Sequence, residues 1–441
     1  MPCPTPSSAS TARRARSAAI DSYCLVLGGG GAKGVYHIGV WRALRELGIE
    51  VNAFIGTSIG AIIAGFLAQG ADDKLEELGR SITVDDILAL PPELTQGGEV
   101  KLDLESLTGI RELFHKAMNR KGLDTGPLKR LLVESLDEAS IRAGGKDLGI
   151  VTVNVSALEP REVFIEDMEP GSLVEYLLAS AAFPGFEQPR IGGQKYIDGG
   201  LYDNVPYAMA RRRGYRRVIV SDLSGAGLNR RPQIEGGLTV YIKNSIDFGG
   251  VLDFNRAFLD SFMELGYLDA LRAFGRLEGY SYFLEPDPEA EAAFAREGAG
   301  ARDAGARGAE ARDAPGIPWP ERMRHDRRGL LKRLECAASA LEVERIRAYS
   351  YAGLEAAIRE RAAAVDAKVA AARAGGRLMQ LAAPIREAVA ARRFEDCPLY
   401  YYRLVEEAVP GAAGSLLKKA LEGLFPELPA AVAWLDGAAG A

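Results

Sequence analysis

Two glycine-rich turns, Gly28-Gly29-Gly30-Gly31 and Gly56-Thr57-Ser58-Ile59-Gly60, each join a short apolar stretch to a helical one. The first follows Cys24-Leu25-Val26-Leu27 and leads to an amphipathic run over Val35–Leu47. The second follows Val51–Ile55 and leads to Ser58–Gln69. Apolar runs this short, rich in branched residues and ending in glycine, read as buried strands. The pattern continues with strands over Leu148–Val155, Arg161–Ile165, Lys195–Ile197, Arg217–Asp222 and Leu238–Ile242, and a short helix over Leu173–Ala182. The Leu148–Val155 and Arg161–Ile165 strands form a hairpin. Strands interleaved with helices predict an α/β fold with a mostly parallel sheet covered on both faces.

Val51–Ala71 carries no charge, which meets the crude length rule for a membrane span. Its first half contains Gly56, Thr57, Ser58 and Gly60, so strand, turn and buried helix explain it better, and no transmembrane helix is expected. Residues 72–145 look helical and polar, with loops at Pro91-Pro92 and Gly97-Gly98. The 441-residue chain is expected to hold a disordered tail over 1–22, an α/β domain over 23–284, a flexible, solvated linker over 285–318 and a helical C-terminal region over 319–441, broken at Gly375-Gly376 and near Pro398.

A net charge of −6 gives no basic field for nucleic acid. Cys3, Cys24, Cys336 and Cys397 form no CxxC pair, so reduced thiols and a cytoplasmic setting are expected, peripheral to a membrane if anything. The sequence leaves the oligomeric state open.

The two turns carry the chemistry. Gly56-Thr57-Ser58-Ile59-Gly60 is a G-x-S-x-G between strand and helix, the setting that exposes a serine hydroxyl as nucleophile. An ordinary turn with a capping serine would look alike. Gly29-Gly30-Gly31-Ala32-Lys33-Gly34 can aim backbone N–H groups at an oxyanion. The same letters fit the dinucleotide fingerprint through Gly29, Gly31 and Gly34. That fingerprint wants an acidic residue at the end of the second strand, whereas Glu50 stands at its beginning. A phosphate-binding P-loop is excluded because no G-K-[ST] follows. Asp198-Gly199-Gly200, followed by Asn204-Val205-Pro206, places a glycine-flanked carboxylate at a strand end, a motif that also suits an Asx turn.

Histidine decides between hydrolase types. The chain has His37, His115 and His325 only, and none lies late in the α/β region where a Ser–His–Asp enzyme of the α/β-hydrolase type would place its base. His37 reads as a packed or surface residue. A serine hydrolase built here must use another base, and an aspartate remains.

A glycine loop ending in Lys-Gly, a G-x-S-x-G about two dozen residues on and a distant Asp-Gly-Gly, in this order, resemble the patatin-like phospholipase family over roughly residues 24–284. Ser180-Ala181-Ala182-Phe183-Pro184-Gly185 is similar to the family segment before the aspartate strand. The resemblance implies a three-layer α/β/α fold with a mostly parallel central sheet. It also implies lipid acyl hydrolysis by a Ser58–Asp198 dyad, with Gly56 and Gly60 forming the nucleophile elbow. The oxyanion hole would come from Gly29, Gly30, Gly31, Lys33 and Gly34. The family needs no metal or organic cofactor, and none is expected. The partner implied is a lipid or membrane-interface substrate, met through Ala257–Phe274 or Leu416–Phe425 if either lies at an interface, although core packing suits both helices better. Pro398-Leu399-Tyr400-Tyr401-Tyr402 is read as packing. Two alternatives stay open: a nucleotide-binding enzyme using the GxGxxG-like loop, and a catalytically silent scaffold whose C-terminal part binds a partner.

Overall fold

The computed structural model describes residues 22–90, 95–96, 99–100, 122–225, 227–228, 237–293, 329–375 and 378–438. The expected tail up to residue 21, the loops at Pro91-Pro92 and Gly97-Gly98, the linker from 294 to 318, Gly376, Cys3, His115 and His325 lie outside them. The chain divides into two compact units, Met1–Phe274 and Gly275–Ala441.

In the first unit the strands are β1 (Tyr23–Leu27), β2 (Val51–Thr57), β3 (Asp147–Asn154), β4 (Glu159–Phe164), β5 (Arg190–Ile191), β6 (Gln194–Asp198), β7 (Arg217–Asp222) and β8 (Leu238–Lys243). Their order is β8-β7-β1-β2-β3-β6-β5, with β4 also paired to β3. Pairs among β8, β7, β1, β2 and β3 are parallel, and β4, β5 and β6 enter antiparallel. The helices are α1 (Val35–Glu46), α2 (Ile59–Gln69), α3 (Asp72–Ser81), α4 (Gly126–Ser135), α5 (Glu138–Ala143), α6 (Leu173–Ser180), α7 (Tyr207–Arg213) and α8 (Arg256–Ala273). The inner parallel strands are buried, β1 showing no exposed residue and Leu25, Val26, Phe54 and Ile55 being fully enclosed, while the edge strand β8 is largely exposed. This is the mostly parallel sheet between helices that the strand–helix alternation predicts.

The strand register brings distant residues together. β2 pairs with β3 up to Thr57 opposite Val151. β4 occupies β3 over Gly149–Asn154. A strand offers two edges, so β6 takes up the edge that β2 leaves, with Asp198 opposite Thr152. Ser58, the next residue after Thr57, therefore meets Asp198 end to end along one edge of β3.

Val51–Ala71 forms β2, a tight turn and α2. Among the described residues no helix is long and apolar enough to cross a membrane. On α8, Phe258, Phe262, Leu265 and Leu268 are buried, facing the core rather than an interface. Helices α8 and α1 touch backbone to backbone: a Cβ at Gly39 would stand 1.9 Å from the Met263 carbonyl oxygen, and one at Gly266 would stand 2.1 Å from that of Tyr36.

The second unit contains β9 (Phe283–Leu284) paired with β10 (Ala348–Tyr349), and helices α9 (Leu330–Ala340), α10 (Tyr351–Ala374), α11 (Leu378–Ala391), α12 (Pro398–Ala408), α13 (Ala412–Leu424) and α14 (Leu428–Ala438). Pro398 at the first position of α12 has no N–H to lose there. Leu334, Leu354, Ile358, Val405 and Trp434 share one core. Tyr282 and Leu284 belong to that core, which moves the division ten residues ahead of the expected 284/285 boundary. Glu291, inside the expected linker, accepts the N–H groups of Leu330 and Leu331 and so caps α9. On α13, Leu416 is exposed while Leu421 is buried. Leu399 and Tyr402 of α12 pack in the core as read.

Candidate active site

The turn between β2 and α2 is as tight as two missing Cβ atoms allow. A Cβ at Gly56 would stand 2.2 Å from the Gly60 carbonyl oxygen, and one at Gly60 would stand 2.3 Å from that of Leu27. Ser58 sits at the bend with φ 56° and ψ −129°. A non-glycine residue in such a conformation costs on the order of 1–3 kcal/mol and persists only where its surroundings over-determine it. Those surroundings are visible. The Ser58 N–H donates to Ser180 Oγ at 2.9 Å, and the Ser180 hydroxyl donates to the Val151 carbonyl at 2.6 Å. Ser58 is the N-cap of α2, yet its hydroxyl caps nothing. Instead Oγ donates to Asp198 Oδ2 at 2.6 Å.

Asp198, at the end of β6, is 5% exposed. Its Oδ1 accepts the Gly200 N–H at 2.7 Å. Burial pushes its carboxyl up to about 6, and the hydrogen bonds from Ser58 and Gly200 pull the other way without cancelling that rise. The group is an anion above that value and a stronger base than a solvated aspartate.

The glycine loop leaves β1 and lies against this pair. The Gly29 N–H donates to the Asn204 carbonyl at 3.1 Å, and Asn204 Nδ2 donates to the Gly29 carbonyl at 3.2 Å. A Cβ at Gly29 would meet Asn204 Oδ1 at 2.4 Å and Ser58 Cβ at 3.1 Å. The Ala32 N–H donates to the Val251 carbonyl at 2.8 Å and the Lys33 N–H to that of Gly30 at 3.3 Å. The N–H groups of Gly30 and Gly31 have no hydrogen-bond partner among the described residues. Five residues of the loop are candidates for holding an oxyanion, and the geometry separates them. Gly30 and Gly31 offer free donors beside Ser58. The Gly29 N–H is occupied. Gly34 packs against Ile59. The Lys33 ammonium is turned to Asp247 at 2.6 Å and lies over the Phe262 ring.

His37 is fully buried under the loop. The Gly28 carbonyl can only accept, so Nε2–H donates to it at 2.8 Å and Nδ1 accepts from Ser221 Oγ at 2.7 Å. Burial pushes its pKa down to about 4, so the ring is neutral. Both nitrogens are engaged away from Ser58, and the ring props the loop.

A cavity of about 290 Å³ is lined by Ser58, Asp198 and Gly30 at the catalytic pair. Beyond them its wall is apolar, with Ile62 and Phe66 from α2, Leu75 from α3 and Leu128 from α4. Composition made residues 72–145 look polar and hid this wall. The spacing of Leu75, Leu78 and Ile82, at i, i+3 and i+7, was the signal of an apolar stripe. Ser180 and Asn204, which hold Ser58 and the loop, were visible in the sequence without their roles.

Residues 25–211 match the family model for patatin-like phospholipase. A Caenorhabditis elegans patatin-like phospholipase domain-containing protein is 34% identical over 218 residues, 48% of this chain and 14% of that protein. A Mycobacterium tuberculosis protein of the NTE family is 28% identical over 228 residues, 51% of this chain and 54% of that one. Lysophospholipase NTE1 of Cryptococcus neoformans is 28% identical over 213 residues, 48% of this chain and 12% of that protein. The chain thus spans about half the length of the mycobacterial relative and far less of the other two. The stretch that carries both glycine turns and Asp198 thus matches the patatin-like phospholipase family.

Proposed function

We propose that this protein is a serine hydrolase of lipid carboxylic esters, of the phospholipase A or lysophospholipase kind, with Ser58 as nucleophile and Asp198 as its base. Ser58 Oγ attacks the ester carbonyl while its proton passes to Asp198 Oδ2. The oxyanion that forms is held by the N–H groups of Gly30 and Gly31, and a well-placed donor of this kind is worth roughly 3–4 kcal/mol. The intermediate collapses, the C–O bond to the alcohol breaks, and Asp198 returns the proton to the leaving oxygen. Water, deprotonated by Asp198, then attacks the acyl-enzyme, and Asp198 gives that proton to Ser58 Oγ as the acid leaves. The observation that carries this reading is the 2.6 Å hydrogen bond between Ser58 and Asp198, both of which line an apolar cavity.

The nucleotide reading finds less support. The space over the glycine loop is walled by Val, Ile, Leu and Phe side chains, and the loop's one lysine is engaged by Asp247. A diphosphate would be left without a cation. With no membrane-crossing helix among the described residues, a lipid substrate would be met at a bilayer or micelle surface.

The test is labelling by a fluorophosphonate together with hydrolysis of a panel of phospholipids and short esters. Labelling vanishes in Ser58→Ala, and hydrolysis falls by about a thousandfold or more in both Ser58→Ala and Asp198→Asn. Hydrolysis that survives loss of the Ser58 hydroxyl refutes the assignment.

A further inference from the structure

The cavity beside Ser58 has a definite polarity and a definite size. Among the described lining residues, Ser58, Asp198 and Asn204 are the only ones with polar side chains, and all three sit at the catalytic end. A ligand that fits is polar at one end and hydrocarbon for the rest.

Two independent gauges give the length of that hydrocarbon. The first is volume. An apolar cavity of roughly 150 Å³ holds a benzene, six carbons, so 290 Å³ corresponds to about twelve. The second is distance. The cavity runs along α2 from Ser58 to Phe66. At 1.5 Å per residue that is about 12 Å. Bonds of about 1.5 Å at about 110° advance an extended chain by roughly 1.25 Å per carbon, so about 12 Å takes nine or ten carbons. Phe66, about two helical turns along α2 from Ser58, and Leu75, on the other side of the Gly70 turn that joins α2 to α3, both line the cavity. By the volume gauge, the two long tails of an ordinary diacyl lipid, about thirty carbons, would need more than twice the space available.

We propose that the cavity binds a single acyl chain of about ten to twelve carbons, carbonyl at Ser58 and tail end at Phe66 and Leu75, so that the preferred substrates are monoacyl, medium-chain esters. This rests on the reading of Ser58 as the acyl-accepting nucleophile. Leu75 then determines chain-length specificity.

The experiment measures binding, so that it stands apart from catalysis. Neutral straight-chain 2-alkanones, whose carbonyl stands in for the ester, compete with a fluorescent 2-alkanone for the full chain, read by anisotropy. Burying each methylene tightens binding about fourfold until the cavity is full. The expected series therefore rises about fourfold per carbon and breaks at about ten to twelve. In Leu75→Trp the break comes at least about two carbons earlier, and in Leu75→Ala it comes later. Circular dichroism verifies that both variants are folded. A rise that continues unbroken through about sixteen carbons overturns the proposal. So does a break that neither substitution moves. The same series on Ser58→Ala keeps its break if the cavity alone sets it. A break at the expected length in a chain that hydrolyses no ester would remove the nucleophile reading and leave the single-chain fit standing.

Discussion

Replacing Asp198 by asparagine should make the protein more resistant to denaturant at pH 8 relative to wild type than it is at pH 5. Asp198 holds its proton more tightly in the folded chain, at about 6, than at the ordinary value of 3.8. Its contribution therefore favours the folded state below 3.8 and is withdrawn as pH rises through 6. The full difference of 2.2 pH units corresponds to about 3 kcal/mol, of which about 1.4 kcal/mol is withdrawn between pH 5 and pH 8. Asparagine has no charge to bury and lacks this dependence. It also has one acceptor oxygen in place of two, but that loss is the same at both pH values and drops out of the comparison. Every other titrating group is shared by the two proteins. Guanidinium unfolding of wild type and Asp198→Asn at the two pH values measures the change directly. A stability difference that stays constant to within about 0.5 kcal/mol from pH 5 to pH 8 would refute the claim that a buried, charge-bearing carboxylate stands beside Ser58.

Gly31→Ala puts a methyl at a residue with φ 58°, 2.0 Å from the Val251 carbonyl oxygen. The loop must shift its free donors, and esterase activity should fall about a hundredfold or more while circular dichroism is unchanged. Ser180→Ala leaves the Ser58 N–H and the Val151 carbonyl without their partner. Unfolding should show a loss of about 1–3 kcal/mol, with kcat falling more than KM rises, and Ser180→Thr restoring part of both. In the second unit, Glu335 Oε1 accepts the N–H groups of Tyr280, Ser281 and Tyr282 at 2.7–3.0 Å. Glu335→Leu should destabilise by about 3 kcal/mol or more in denaturant unfolding, and Glu335→Gln, which keeps an acceptor, by less.

The sequence made the strands and the Ser58–Asp198 candidates legible for different physical reasons. Strands buried on both faces need continuous apolar residues, and Cys24–Leu27, Val51–Ile55 and Leu148–Val155 supplied them. Ser58 and Asp198 stood out because turns this tight exclude Cβ atoms, so glycines flank the residues that matter. The scarcity of histidine then turned attention to an aspartate. Partnerships across long stretches of chain were not legible. Nothing local marks Ser180 as the acceptor for an N–H 122 positions away, or Asn204 as a brace for Gly29. The second unit shows the same blindness. Tyr282–Leu284 read as the end of the α/β pattern, yet Phe283 and Leu284 pair with Ala348 and Tyr349. The alanine- and glutamate-rich start of the expected linker conceals the carboxylate that caps α9. Composition reports average solvation, and a single capping side chain does not move that average.

The local strain and burial at the site need a rigid support, and the fold supplies it beside the turn. Asp198 has no cation among its hydrogen-bond partners, and its two bonds leave a net burial penalty of about 3 kcal/mol when it is charged. The Ser58 backbone adds roughly 1–3 kcal/mol more. Each large apolar side chain enclosed nearby contributes about 1.5–3 kcal/mol. Leu25, Leu27, Phe54, Ile55 and Leu67 are all fully buried in β1, β2 and α2. Two or three of them offset the site, and the others hold it where it is. A histidine base would titrate near neutrality in water without such support. An aspartate does so only when withdrawn from water, so the base proposed here would be inseparable from the core that encloses it.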